Sequence, residues 1–452
     1  MASDGLPMLP YDLPMTSHSP CPFYTILTFT PQQVSEVDSA YNAFLLDGGA
    51  KAAGASKSSK RLVGMGPSPK MGRRAAPDSL QLQTADGELG QVGPRGPHFK
   101  LAPELKWVAD LYGSEAVSRA LESVNSWDFS IFELDKASNR HPMAMLVMYY
   151  VEHLKLDQEL PIDHNNLVRL MLNIEQGYKD VPFHNYVHGA DVTHGTAYFM
   201  QQPSVAKHLS ALDQYCMIIG AAMHDYAHPG YNNAFLVASK HETAILYNDS
   251  SVLENFHIAS SWKVMLQEDS NPFAGFSLDQ YKDAREKMVH AILGTDMKFH
   301  FEHLTKFKTR LSSGAFDAPE RKDVMLLLAM CMHSADVSNP AKNWELSMEW
   351  ACRVMEEFFQ QGEKEADLGL PVSPFMDRVK TDIGKCQAGF ISILIKPFFE
   401  EWVSFLGADC KHIVENIEAN IRTWQEKGEG AIGARAERLH EKPKGRTRHS
   451  ES

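Results

Sequence analysis

In VMLLLAMCMHSADV, residues 324–337, apolar side chains recur at three- and four-residue spacing, the mark of a helix packed against its neighbours. The same period runs through MAMLVMYYVEHLKL (143–156), NNLVRLMLNIEQGY (165–178), EKMVHAILGTDM (286–297) and LSMEWACRVMEEFFQQG (346–362). Breakers punctuate these segments at Pro161, Pro182, Pro229-Gly230, Ser313-Gly314, Asn339-Pro340 and 369–374. Alternating runs joined by hairpin signals are absent, so a sheet-based fold is excluded. The expectation is an all-α, compact, multi-helix fold over residues 99–425. It forms either one domain of many helices or a few helical subdomains around a shared cleft.

The flanks read differently. Residues 1–98 are rich in Gly, Ala, Ser, Lys and Pro, a composition that buries too little apolar surface to offset its ordering entropy. They are expected to be mostly disordered, with one apolar segment (23–46) as a candidate helix or docking element. Residues 426–452 are charged and Gly-rich and are expected to form a disordered tail.

A net charge of −13 over 452 residues argues against nucleic acid as a partner, because binding phosphate backbones needs a basic surface. An anionic small substrate would instead need cations placed locally, as metal ions are. The six cysteines are widely spaced and mostly lie in apolar stretches, which reads as reduced thiols of a cytoplasmic protein. The N-terminus lacks a secretory pattern, and no apolar run approaches the roughly 20 residues that span a bilayer.

Chemistry concentrates in the histidines. FHNYVHGADVTH (183–194) places His184 and His188 four apart, one helical face, with Asp191 a turn further on. MHDYAHPG (223–230) brings His224, Asp225 and His228 directly after the apolar helix YCMIIGAAM, and HSADVSNP brings Asp336 to the end of another. Singly, each has a plainer explanation: surface or capping histidines, or an aspartate opening a turn. Together they interrupt otherwise apolar helices, where a lone carboxylate is costly to desolvate and needs a partner or a metal. Imidazole and carboxylate without cysteine suit a hard or borderline divalent ion, with positions left open for water and substrate.

The blocks FHNYVHGADVTH, HDYAHPGYNNAF, AILYNDSSVLEN, GTDM, HSADVSNPAKNW, EEFFQQGEKEADLGLPVSP and CQAGFI resemble the signature blocks of class I cyclic nucleotide phosphodiesterases, in family order and spacing, over residues 127–402. That family lies within the HD-type metallohydrolases and has a catalytic domain of about sixteen helices. The resemblance implies hydrolysis of a 3′,5′-cyclic nucleotide to the 5′-monophosphate, with cAMP favoured and cGMP open as substrate. It implies two divalent metal ions: Zn2+ on His188, His224, Asp225 and Asp336, and Mg2+ or Mn2+ sharing Asp225. It makes His184 the general acid. His228, Glu254 and Thr295 support metal-bound waters, and Glu254 also orients the His184 imidazole. Gln387 hydrogen-bonds the purine and Phe390 stacks on it, while Asn339, Trp350, Val354 and Pro374 line the base pocket. A homodimer is left open.

The chain departs from the family at Phe183, where tyrosine is usual, at Phe256 of the Phe256-His257 pair, and at Ala227, often acidic. These departures put rate and metal preference in question. The rival readings are another HD-type nucleotide phosphohydrolase and a catalytically inactive cyclic nucleotide sensor.

Overall fold

A computed structural model describes residues 99–441 of the chain. The expectations for residues 1–98 and 442–452 therefore lie outside the described residues. Helices account for the regular structure, and no strand occurs among the described residues.

Three helices form the centre: α1 (Tyr186–Met200), α2 (Ala211–Met223) and α3 (Arg321–Asp336). In α2, the run from Tyr215 to Met223 is buried throughout, and its N-terminus is closed by a reciprocal cap between Ser210 and Asp213. The crossing of α1 with α3 depends on Gly195: a Cβ there would sit 2.9 Å from the Cβ of Ala335. Only a glycine lets the two backbones approach so closely, and the contact lies one residue from Asp336 and two turns from His188. The apolar packing that holds these helices thus also converges their polar ends.

Around this centre pack α4 (Trp344–Asp367), α5 (Ile383–Phe390) and α6 (Lys411–Lys427). One apolar core runs through all of them. A smaller one, around Phe235, Leu236, Val252 and Leu253, lies beneath the 231–253 segment.

The expected C-terminal boundary at residue 425 is corrected. Helix α6 continues to Lys427, and a short helix α7 (Ala434–His440) follows, with Ile432 and Leu439 buried. Composition marked this stretch as tail-like because its charges looked solvated. In the fold they are paired: Arg435 Nη1 lies 2.6 Å from Glu349, and Glu429 accepts the backbone N–H of Ile383 at 2.8 Å.

Candidate active site

His188 lies in the first turn of α1, whose N-terminus is capped by the Asn185 side chain accepting from the Val187 N–H. His224 and Asp225 follow directly on the last turn of α2, and Asp336 is the last residue of α3. Four acceptor atoms from these residues lie within 4.8 Å of one another. His188 Nε2 is 3.0 Å from Asp336 Oδ1 and 3.5 Å from Asp225 Oδ2. His224 Nε2 is 3.3 Å from each of the same two oxygens.

The donor chemistry fits a metal. His224 Nδ1–H donates to the Ala221 carbonyl at 2.8 Å, which leaves Nε2, buried and without a hydrogen-bond partner among the described residues, as the nitrogen that would bind an ion on losing its proton. Ligands about 2.0–2.2 Å from a common ion stand roughly 3.0–3.6 Å apart, for octahedral through tetrahedral arrangements. The observed spacings fall in that window, so the four residues can hold one divalent ion, with its identity left open. Burial disfavours charge on His224, yet Asp225 and Asp336 overcome it and hold the imidazole well above its ordinary range. The locus favours positive charge. Nothing in the structure explains why His188 Nδ1 is also buried without a partner.

Asp225 presents its two oxygens to different neighbours. Oδ2 faces His188 and His224, while Oδ1 lies 3.6 Å from His257 Nε2. His257 Nδ1–H donates to the Tyr226 carbonyl at 2.7 Å. Burial pulls this imidazole down to about 4, so its unpartnered Nε2 is a lone pair turned toward Asp225. The sequence reading missed His257 as a site residue. The available signal was a histidine one turn beyond Glu254 on a helix that opens with buried residues.

His184 sits just outside α1, so the expected shared helical face with His188 does not form. A carboxylate holds it instead. Glu357, 3 % exposed on α4, accepts the His184 Nδ1–H and the backbone N–H groups of Phe183 (2.9 Å) and His184 (3.1 Å). Glu254 was the expected orienting carboxylate, and this is corrected: it is bonded to Asn233 Nδ2 at 3.1 and 3.2 Å and makes no bond to His184. Burial and the nearby Asp296 charge raise Glu254 to about 7.

Burial alone would depress His184, but Glu357 outweighs it and the imidazole is pushed up to about 9. Glu357 is itself held down to about 2, because the His184 charge outweighs its burial. With Nδ1–H engaged, His184 Nε2 carries the mobile proton. An acid that must be protonated works below its pKa and fails as pH rises through it. Glu357→Gln removes the charge that keeps His184 protonated. It is expected to move the alkaline limb of kcat/KM to lower pH and to cut turnover at pH 8 roughly tenfold or more. An unshifted pH–rate profile would contradict the pairing.

His228 stacks on His184 with ring centroids 4.0 Å apart. Its Nδ1 accepts the Gly230 N–H at 3.0 Å, so when neutral it carries its proton on Nε2, as a donor to water or substrate oxygen. Thr295 donates its hydroxyl to the Ile292 carbonyl at 2.8 Å and has its oxygen lone pairs left to accept.

Phe183 packs 4.7 Å from the His184 and His188 rings and 5.4 Å from Trp350, so this departure forms an apolar wall without a hydroxyl. Ala227 adopts φ 61°, a left-handed conformation that Asn or Asp tolerates better than Ala.

The base-pocket expectations divide. Trp350 is 1 % exposed, with its ring against those of Phe183 and His188. Gln387 is buried near the end of α5, and its amide makes no hydrogen bond to the described residues. Phe390 and Val354 are half-buried, and Pro374 is exposed. Asn339 donates Nδ2–H to Asp191 Oδ2 at 3.3 Å, and the buried Lys342 ammonium lies 3.9 Å from Asp191 Oδ1. A separate cavity of about 920 Å³, lined by Asp135, Tyr178, Asn185, Tyr186 and Arg353, contains none of the four clustered ligands.

The family model for 3′5′-cyclic nucleotide phosphodiesterase matches residues 183–417. The chain belongs to that family. Among its relatives, the dual specificity calcium/calmodulin-dependent 3′,5′-cyclic nucleotide phosphodiesterase 1B of Bos taurus is 37 % identical over 288 residues, 63 % of this chain and 53 % of the relative. The 3′,5′-cyclic-nucleotide phosphodiesterase regA of Dictyostelium discoideum is 35 % identical over 305 residues, 67 % of this chain and 38 % of the relative. This chain thus spans about half the length, or less, of the curated relatives it matches. The crystal structure of the phosphodiesterase domain of the RhoPDE fusion protein from the choanoflagellate Salpingoeca rosetta aligns with a TM-score of 0.63 at 30 % identity, covering 71 % of this chain and 99 % of that domain. No helix among the described residues is long and apolar enough to cross a membrane.

Proposed function

We propose that this chain hydrolyses a 3′,5′-cyclic nucleotide to the nucleoside 5′-monophosphate within residues 99–441, acting in the cytoplasm. The observation that carries this reading is the His188–His224–Asp225–Asp336 cluster beside the His184–Glu357 pair, whose imidazole centroid lies 5.6 Å from that of His188. Zinc on that cluster, with magnesium or manganese on the Oδ1 side of Asp225, would neutralise phosphate oxygens and lower the pKa of the attacking water.

The chain's own residues do the rest. In the reaction a water oxygen bonds to phosphorus and gives up one proton to solvent, the P–O3′ bond breaks, and O3′ takes a proton from His184 Nε2, which solvent then restores. That proton is needed because an alkoxide is a poor leaving group near neutral pH. Glu357 keeps the imidazole charged and aimed, having fixed its Nδ1–H. Glu254, His228 and Thr295 orient water near Asp225. The apolar wall of Phe183 and Trp350 limits solvent on one side of His188.

Base recognition falls to Gln387 and Asn339, with Phe390 stacking and Val354 and Pro374 at the rim. Asn339 donates one Nδ2–H to Asp191, and its amide oxygen would accept the exocyclic amine of adenine. Among the described residues Gln387 has no partner to fix its amide, so it can present either edge. This supports cAMP as the favoured substrate with cGMP also accepted, in keeping with the dual specificity named for the Bos taurus relative.

Side-by-side kcat/KM for cyclic AMP, cyclic GMP, a dNTP and a nucleoside monophosphate tests the proposal. Turnover of the cyclic substrates alone is expected. Turnover confined to the triphosphate or monophosphate would identify another HD-type hydrolase, and binding without turnover at saturating Mg2+ and Mn2+ an inactive sensor.

A further inference from the structure

Between α4 and α5 the chain crosses residues 368–382, which carry Pro374 and lead into the helix bearing Gln387 and Phe390. This crossing is unusually constrained. Phe375 adopts φ 66°, a left-handed conformation costly for a bulky side chain, so its surroundings must hold it there. The Met376 carbonyl passes so close to Gly362 of α4 that a Cβ there would fall 1.9 Å from it.

Helix α4 holds this crossing through Glu365, which accepts from Ser373, and the segment after α6 adds a second set of contacts. Arg378, with its side chain 2 % exposed, reaches Glu356 and Glu363 on α4 at 2.7 Å each and donates to the Leu439 carbonyl at 2.7 Å. His440 Nδ1–H donates back to the Arg378 carbonyl at 2.5 Å, and its Nε2 lies 3.2 Å from both Glu429 oxygens. Glu429 also accepts the N–H of Ile383, the first residue of α5. One residue further, Gly384 lies against the backbone of Gly428, where a Cβ would come within 2.6 Å. The C-terminal segment therefore grips both ends of one functional unit: the crossing loop at Arg378 and the start of the helix that presents Gln387 one turn later.

We propose that residues 428–441 form a strap that holds the base-recognition loop and helix in register, with Glu429 of the strap and Arg378 of the loop as the positioning residues. This rests on the reading of Gln387 as the base contact. None of the strap touches the metal-ligating cluster or the His184–Glu357 pair in any contact described above. Loosening it should weaken nucleotide binding and leave the chemistry intact. Glu429 is the more informative of the two, because Arg378 is itself buried and ties Glu356, Glu363 and the Leu439 carbonyl together, so its removal would threaten folding.

The experiment compares the full 452-residue chain with its Glu429→Ala and Glu429→Gln variants and with Gln387→Ala, using cyclic AMP as the probe. Loss of the helix-start bond in Glu429→Ala is expected to raise KM about tenfold with kcat within about twofold. Metal content should be unchanged, and amide exchange over residues 376–390 faster. Glu429→Gln keeps an oxygen acceptor for the Ile383 N–H and should recover most of the KM change. A rise in exchange with KM unmoved in Glu429→Ala, while Gln387→Ala raises KM, overturns the strap. So does a fall in kcat accompanied by loss of metal, which marks a merely structural role. If Gln387→Ala itself leaves KM unmoved, the base reading fails and the strap proposal with it.

Discussion

Asp336→Ala is expected to abolish turnover, by roughly 10⁴-fold or more, and to empty the tight metal site. A divalent ion at a phosphoryl centre contributes several kcal/mol of transition-state charge stabilisation, and each 1.36 kcal/mol is a factor of ten. Asp336 Oδ1 is within 3.3 Å of both His188 Nε2 and His224 Nε2, so its loss removes the carboxylate that both imidazoles share. Asp225 cannot substitute, because its Oδ2 already occupies the other corner of the same cluster. Elemental analysis of the purified variant, read beside its turnover of cyclic AMP, checks both halves. Full metal content in Asp336→Ala would remove Asp336 from the ligand set.

His184→Ala is expected to separate chemistry from metal binding. A positioned general acid contributes about 10²–10⁴-fold, and turnover should fall by that much. Metal content should stay at the level of the unmodified chain, because no His184 atom belongs to the four-ligand cluster. The removed ring also stacks on His228 and engages Glu357, so some loss of stability accompanies the substitution. A circular dichroism melt separates that loss from the kinetic one. A substrate with a more acidic leaving group in place of the ribose O3′ should recover much of the rate, since it no longer needs the proton. Full activity of His184→Ala on cyclic AMP would assign the acid elsewhere.

That His188, His224, Asp225 and Asp336 need partners was legible in the sequence, because these residues break apolar helices. Asp336 closes VMLLLAMCMH and His224-Asp225 closes YCMIIGAAM, and a polar group in such a position needs a partner whatever the fold. The carboxylate behind His184 was not legible. Glu357 is 173 residues away, and in MEEFF it stands beside Glu356, which pairs with Arg378 instead. Which of two adjacent glutamates turns inward is set by the rotation of α4 against the core, and no local pattern carries that. The C-terminal segment escaped for a different reason. Glu429, Arg435 and His440 have the composition of a solvated tail, and their partners Ile383, Glu349 and Arg378 are remote in sequence.

In the proposed mechanism Asp225 is shared between two cations, one on each carboxylate oxygen. Anomalous diffraction from crystals grown with zinc and manganese, recorded at both absorption edges, tests this directly. The expected result is one ion among His188, His224, Asp336 and Asp225 Oδ2, and a second on the Oδ1 side facing His257. Ordered crystals of metal-replete protein with no ion at the four-ligand cluster, or with a single ion that leaves Oδ1 uncoordinated, would contradict it.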